Sequence, residues 1–581
     1  MGKPATLTRR LDLLRFLKQA HSSSHFAHSQ QLPQNTSSSS LPITPAKSQI
    51  YVLGNPSADL DSILSAIVYS YFATRVISYS PVTVSSSPRR EGGEKILRQY
   101  IPLIDLPDVH AGKELARLRP EFVTALRLAV GWDGSESEVG GEEEADNSML
   151  ENSVLTVADL KEQLLLSLGG NPTGASGEKS EAQAPGDRHY NEAAPGNINN
   201  VTEELKNLNV MLVDWNALPK LPSNGGKRGI DGLSDAVPEL KLSVVGCIDH
   251  HDDECFVSRE SESHLHDPCC IQTGVGSCMS LVVRELRAQG LWVDLVPLSS
   301  HPHPGLDPET AQEQAVIYEA QAAKLAMAAI LIDTANMTAK GRVSTVDTAA
   351  VTFLEAKIQA GIDAHLRSNP QSAVSGTGWD RQAFYDAIAL AKENSVENLT
   401  VLEVLGRDYK EWTETIAAST GSSAIKNNKT VKLGVCCIVK PLSWLMEKCA
   451  REYETIATTP KDDTSSTAPL SKYLSSFAAE KHLDLVAVMT AFRSPEPESE
   501  FRRELLLYNL NRDCLDGLKR FEAAAIGELG LEDGIWTVNF ASLDAGDDTG
   551  RYMRIWRQTD VSKSRKQVAP LLRRAFCGAG I

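Results

Sequence analysis

The chain has 581 residues, more than one hydrophobic core usually supports, so two folded domains with unstructured insertions are expected. A composition that is 42% hydrophobic with 39 Gly and 28 Pro excludes a fibrous or wholly disordered chain, and a net charge of −17 argues against general nucleic-acid affinity. No run of about 18 consecutive apolar residues occurs, so no membrane association is expected. The 10 cysteines lack CxxC spacing and fit a reduced compartment, cytoplasmic or the mitochondrial matrix.

Residues 1–44 open with Arg9, Arg10, Arg15 and Lys18 interleaved with Leu11, Leu13, Leu14, Phe16 and Leu17, which predicts an amphipathic first helix ahead of a flexible Ser-rich stretch. A transit peptide has the same look. The β-branched and aromatic run Gln49–Leu53 predicts a strand, Gly54-Asn55-Pro56 ends it, and Ile63 to Val76 reads as a helix. Residues 133–155 and 168–200 are rich in Gly, Ser, Glu, Asn and Pro, so 133–200 is expected to be an acidic, solvated insertion.

Val210–Asp214 and Val244–Asp249 are short apolar runs of buried-strand type, each ending in Asp. An Ala-rich helical stretch, Ala311–Ala329, leads into a third such run, Ile330–Asp333. Strands alternating with helices describe an open, largely parallel α/β sheet, which binds ligands outside the carboxyl ends of its strands. Residues 366–380 read as a linker, and 381–581 as a second α/β domain with strand candidates at Val431–Val439, Leu483–Met489 and Trp536–Phe540. The site is expected in a cleft between the two domains.

Four apolar runs deliver acidic or imidazole side chains at their ends: Asp59 and Asp61, then Asp214, then Asp249-His250-His251, then Asp333. Taken singly, Asp59 is as good a helix N-cap as a ligand, and any one His is ordinarily a satisfied core residue. Together they form an oxygen and imidazole set suited to Mg²⁺, Mn²⁺ or Co²⁺. A carboxylate between two ions would hold them ~3.5–4 Å apart, close enough to activate a water and grip a phosphoryl oxygen.

In their order, Gly54 to Ser62, Val213-Asp214, Asp249-His250-His251 and Asp333-Thr334 with Asn336 resemble the motifs of the DHH phosphoesterase superfamily. Arg407 to Lys410 and Ser564-Arg565-Lys566-Gln567 resemble those of the accompanying DHHA2 domain. The resemblance implies a DHH domain at 45–365, with a mainly parallel, five-stranded-type sheet flanked by helices. It also implies a smaller C-terminal DHHA2 domain with a mixed sheet.

It further implies two divalent cations held by Asp59, Asp61, Asp214, His250 and Asp333, with Asp214 bridging. His251 would face the substrate phosphate, and Asp249 would orient the histidines. Ser564, Arg565 and Lys566 would contact phosphates, with Lys340 and Arg342 as lesser candidates.

Within the superfamily the fungal-type exopolyphosphatases are most similar. They share Asn55 where family II pyrophosphatases carry His, which makes Asn55 a specificity and substrate-binding candidate. The implied activity is stepwise release of orthophosphate from inorganic polyphosphate by a monomer, through in-line attack of a metal-activated water. Pyrophosphatase, a prune-type nucleotide phosphodiesterase and a catalytically silent phosphate-binding protein are the alternatives.

Overall fold

The computed structural model describes residues 11–24, 46–79, 94–131, 142–168, 207–221, 226–257, 267–294, 308–368, 379–416, 429–456, 468–494, 500–533 and 551–577. They form two compact units, one covering 1–338 and 342–388, the other 339–341 and 389–581.

The first unit is built on six strands: β1 (Ala46–Leu53), β2 (Arg75–Tyr79), β3 (Glu94–Leu103), β4 (Asn207–Val213), β5 (Lys241–Asp249) and β6 (Cys269–Ile271). Their order is β2-β3-β1-β4-β5-β6; five run parallel, and only β2 is antiparallel to its neighbour. The second half of β1, Ile50–Leu53, is an unbroken apolar run because both its faces are covered. Ile50 and Val52 feed one core cluster, while Tyr51 and Leu53 feed the other. Register places Leu53 beside Leu212 and Val213 beside Ile248, so the residues following β1, β4 and β5 emerge along one edge. That edge is where the parallel architecture puts ligands.

Several expectations shift. The helix after β1 spans Leu60–Ala73 rather than reaching Val76, and Val76, Ile77 and Tyr79 lie in β2. The run Ile330–Asp333 is no strand: one helix extends over Pro308–Asp333. Ala322 to Leu331 are buried all round that helix, Lys324 included, so its last turn lacks the polar face that would mark it as helical. By length and composition Glu309–Asp333 could cross a bilayer, but 72% of its most apolar window is buried in the protein.

The supposed insertion is partly fold. Helices occupy Glu142–Glu151 and Val157–Ser167, and Leu155, Val157, Leu160 and Leu164 join the core beside β1 and β4. Thr156 and Asp159 form a reciprocal capping box that starts the second of these helices. The remainder, 132–141 and 169–206, lies outside the described residues, as do 25–45 of the Ser-rich stretch and 369–378 of the linker.

The helix Leu13–Ser24 is amphipathic as expected and buries Leu13, Phe16, Leu17 and Ala20 in the first core. Phe384 and Ile388 do the same from helix Arg381–Asn394, so the first unit extends past residue 381.

The second unit carries a mixed seven-stranded sheet: β7 (Tyr409–Thr415), β8 (Thr430–Ile438), β9 (Leu485–Thr490), β10 (Phe492–Arg493), β11 (Phe501–Asn509), β12 (Leu531–Asp533) and β13 (Tyr552–Gln558). β8 and β9 pair in parallel and the other pairs are antiparallel. Helices Leu515–Leu529 and Arg565–Cys577 complete its core around Phe521, Trp556 and Phe576. The strand candidate Trp536–Phe540 lies outside the described residues.

Candidate metal centre

The loop after β1 is tightly specified. A Cβ on Gly54 would lie 2.7 Å from Ser62 Cβ, so only glycine lets β1 and the next helix meet this closely. Asn55 Oδ1 accepts from the Ser57 backbone at 2.9 Å, and Ala58 N donates back to Asn55 O at 2.9 Å, with Ala58 in the left-handed region at φ +44°. Asp59 then caps the helix, its Oδ1 accepting from Ser62 N at 3.0 Å. Two residues on, Asp61 is buried against the start of helix Cys278–Ala288. Its oxygens accept from Cys278 N at 2.7 Å, Ser277 Oγ at 3.0 Å and Met279 N at 3.1 Å.

Asp214 follows β4 at φ +58°, a conformation Asp tolerates better than most residues. Its Oδ2 accepts from Asn55 Nδ2 at 2.7 Å and Ser62 Oγ at 2.8 Å, while Oδ1 lies 3.1 Å from His250 Nε2. His250 Nδ1 faces Val275 O at 3.1 Å, which fixes a proton there and turns the Nε2 lone pair toward the acidic cluster. Asp249 is fully buried and bonds His251 Nδ1 at 2.8 Å, His250 N at 2.8 Å and Asn216 Nδ2. Asp333 ends its long helix, and Ala335, Asn336 and Met337 then take φ +49°, +52° and +64° to turn the chain away.

Two ligand groups result, Asp214 with His250 and His251, and Asp61 with His250 and Asp333, each with donor atoms within 4.8 Å of one another. Burial pushes the Asp61 carboxyl well above its usual range, and the negative charges of Asp214, Asp333 and Asp59 add to the rise. A buried cluster of this kind is poorly stable as bare anions, and divalent cations bound by carboxylate oxygen and neutral imidazole would relieve it. The donor set fits such ions.

The first unit thus brings Asp61, Asp214, His250, His251 and Asp333 together, with Asp249 behind the histidine. Asn55, expected as a specificity and substrate-binding residue, lies in the loop after β1. It is fully buried with both ends of its amide engaged, so it stands behind Asp214 and aims that carboxylate.

In the second unit, Ser564 exchanges capping contacts with Gln567 at the start of helix Arg565–Cys577, and Arg565 Nη1 pairs with Asp408 Oδ1 at 2.6 Å. Lys566 is half-buried on the same first turn, and Lys340 is exposed. Sequence reasoning missed Asn216, Ser277 and Asp347, whose carboxylate accepts from Gly276 N, Ser277 N and Ser280 Oγ and so braces the loop that holds Asp61. Their contacts join distant parts of the chain, and no local pattern signals them.

Residues 386–575 match the family model of the DHHA2 domain. A Schizosaccharomyces pombe protein named "Putative exopolyphosphatase" is 24% identical over 534 residues, covering 91% of each chain. A solved structure, named "Methanococcus jannaschii putative family II inorganic pyrophosphatase", aligns over 91% of this chain and 99% of its own at 15% identity, with a TM-score of 0.39. The matched residues include Asp408, Ser564, Arg565 and Lys566, and so the Arg565–Asp408 ion pair.

Proposed function

We propose that the protein is an exopolyphosphatase, releasing orthophosphate from the end of inorganic polyphosphate with two divalent cations, Mn²⁺ or Mg²⁺, at the cluster of Asp59, Asp61, Asp214, His250 and Asp333. The observation that carries this reading is the convergence of Asp61, Asp214, His250 and Asp333 in two overlapping ligand groups that share His250. When bound, the cations supply a water acidic enough to be nucleophilic near neutral pH and draw charge from phosphoryl oxygens.

The chain's own residues do the rest. Asn55 and Ser62 hold one oxygen of Asp214, leaving the other directed at His250. Asp249 grips Nδ1 of His251, so the ring meets a phosphate oxygen through Nε2. Ser564, Arg565 and Lys566 of the DHHA2 domain, with Lys340, are assigned the phosphate chain, since successive phosphates require several cations and Arg offers bidentate contacts.

Polyphosphate is preferred over pyrophosphate because Asn occupies position 55, and over a nucleotide diester because the Asp249-His250-His251 triplet is intact. The Schizosaccharomyces pombe relative carries the same activity in its name. The test is phosphate release by purified protein with Mg²⁺, Mn²⁺ or Co²⁺ on long-chain polyphosphate, tripolyphosphate, pyrophosphate and a cyclic dinucleotide. Metal-dependent release that favours polyphosphate is expected. Preferential cleavage of the cyclic dinucleotide or of pyrophosphate would overturn the substrate assignment.

A further inference from the structure

The loop from Asn55 to Asp61 carries three acidic or amide groups of the metal centre, yet nothing in β1 or the following helix holds its middle. That support comes from Arg119, which lies 61 positions beyond Ala58 and is 2% exposed. Its Nε donates to Ala58 O at 2.7 Å, Nη2 donates to Ser57 O, and Nη1 donates to Leu118 O at 3.3 Å. A buried guanidinium spanning two successive carbonyls is a fixed fork, and a single-point cation cannot reproduce it.

The backbone it grips is strained. Ala58 sits at φ +44° without being glycine, and such conformations persist only where the surroundings enforce them. Within the loop, the Asn55 turn fixes Ser57 N and Ala58 N, but the carbonyls of both residues point outward to Arg119. Release of those carbonyls would let Ala58 relax toward negative φ. The next residue is Asp59, and Asp61 follows two further on, so the relaxation would be transmitted to both ligands.

We infer that Arg119 is a positioning residue of the metal centre, clamping the Ser57 and Ala58 carbonyls so that Asp59 and Asp61 stay where divalent cations need them. It touches neither cation nor substrate. The inference rests on the reading of the cluster as a metal site. It adds that the site's affinity depends on a buried arginine from outside every motif.

The experiment is Mn²⁺ binding to the full chain by calorimetry, for wild type, Arg119→Lys and Arg119→Met, with thermal melting of each. Arg119→Lys keeps the charge and one donor, so it is expected to fold while its Mn²⁺ dissociation constant rises about tenfold or more, the usual cost of losing an outer support of a metal ligand. Excess Mn²⁺ should restore its phosphate release, which a general loss of folded protein would not allow. Arg119→Met is expected to weaken binding further; if it does not fold, the lysine variant alone decides. Wild-type Mn²⁺ affinity retained in a folded Arg119→Lys would overturn the positioning role. Absence of Mn²⁺ binding by the wild type would instead overturn the metal-site reading beneath it.

Discussion

Asn55 donates through Nδ2 to Asp214 Oδ2 at 2.7 Å, and Asp214 Oδ1 lies 3.1 Å from His250 Nε2. The amide therefore sets which oxygen of the carboxylate faces the centre. Asn55→Leu preserves much of the volume but leaves Ser57 N and Ser57 Oγ without their acceptor, an expected cost of about 1–3 kcal/mol. Calorimetry should show Mn²⁺ affinity falling ~10–100-fold. Unchanged affinity would mean that Asp214 needs no support from Asn55.

Asp105, just past β3, gives a pH signature. It is 4% exposed, its Oδ1 has no hydrogen-bond partner among the described residues, and burial, aided by Asp231, raises its pKa to about 8. From the unfolded value near 4 up to about 8, the folded state keeps a proton that the unfolded state has lost, so stability falls as pH rises and levels off above that window. The slope is about 1.4 kcal/mol per pH unit. Asp105→Asn should remove that slope, so its advantage over wild type in thermal melts should grow from pH 5 to pH 8. Parallel profiles would show that Asp105 ionises freely.

Gly54→Ala places a methyl 2.7 Å from Ser62 Cβ and 3.2 Å from Ser62 Cα, where the helix backbone must give way. A loss of about 1–3 kcal/mol is expected. Because the displaced helix bears Asp61, weaker Mn²⁺ binding should accompany the lower melting temperature. A drop in melting temperature alone would separate packing from ligand placement.

Thr156→Ala removes the hydroxyl half of the capping box, the bond that Asp159 N donates to Thr156 Oγ1, and should cost about 1 kcal/mol. A thermal transition that does not move would return residues 157–167 to the status of a dispensable insertion.

The parallel sheet was legible because Ile50–Leu53, Val210–Val213 and Val244–Ile248 are apolar runs, buried except at Val244 and Val245, ended by polar residues at the edge where ligands bind. Asp333 was legible as a ligand candidate but not as the end of a helix. A helix buried all round shows no periodicity, so its last turn reads like a strand. The helix at 157–167 was hidden by the low-complexity sequence on either side, although Thr156 and Asp159 carry the capping spacing. Arg119 and Asp347 could not be found from sequence at all, because each acts on backbone groups about 60 to 70 positions away.

The central claim is that Asp214 is a ligand residue of a two-cation hydrolytic centre. Asp214→Asn suits its test, because Asn accepts the left-handed backbone at φ +58° and keeps an oxygen for Asn55 and Ser62, while losing the negative charge. The decisive measurement is Mn²⁺-dependent orthophosphate release from long-chain polyphosphate by wild type and by Asp214→Asn, both shown to be folded by their melts. Wild type should release phosphate with Mn²⁺ and not with chelator, and Asp214→Asn should be inactive under both conditions. Turnover retained by Asp214→Asn, or release by wild type that ignores the chelator, would contradict the account.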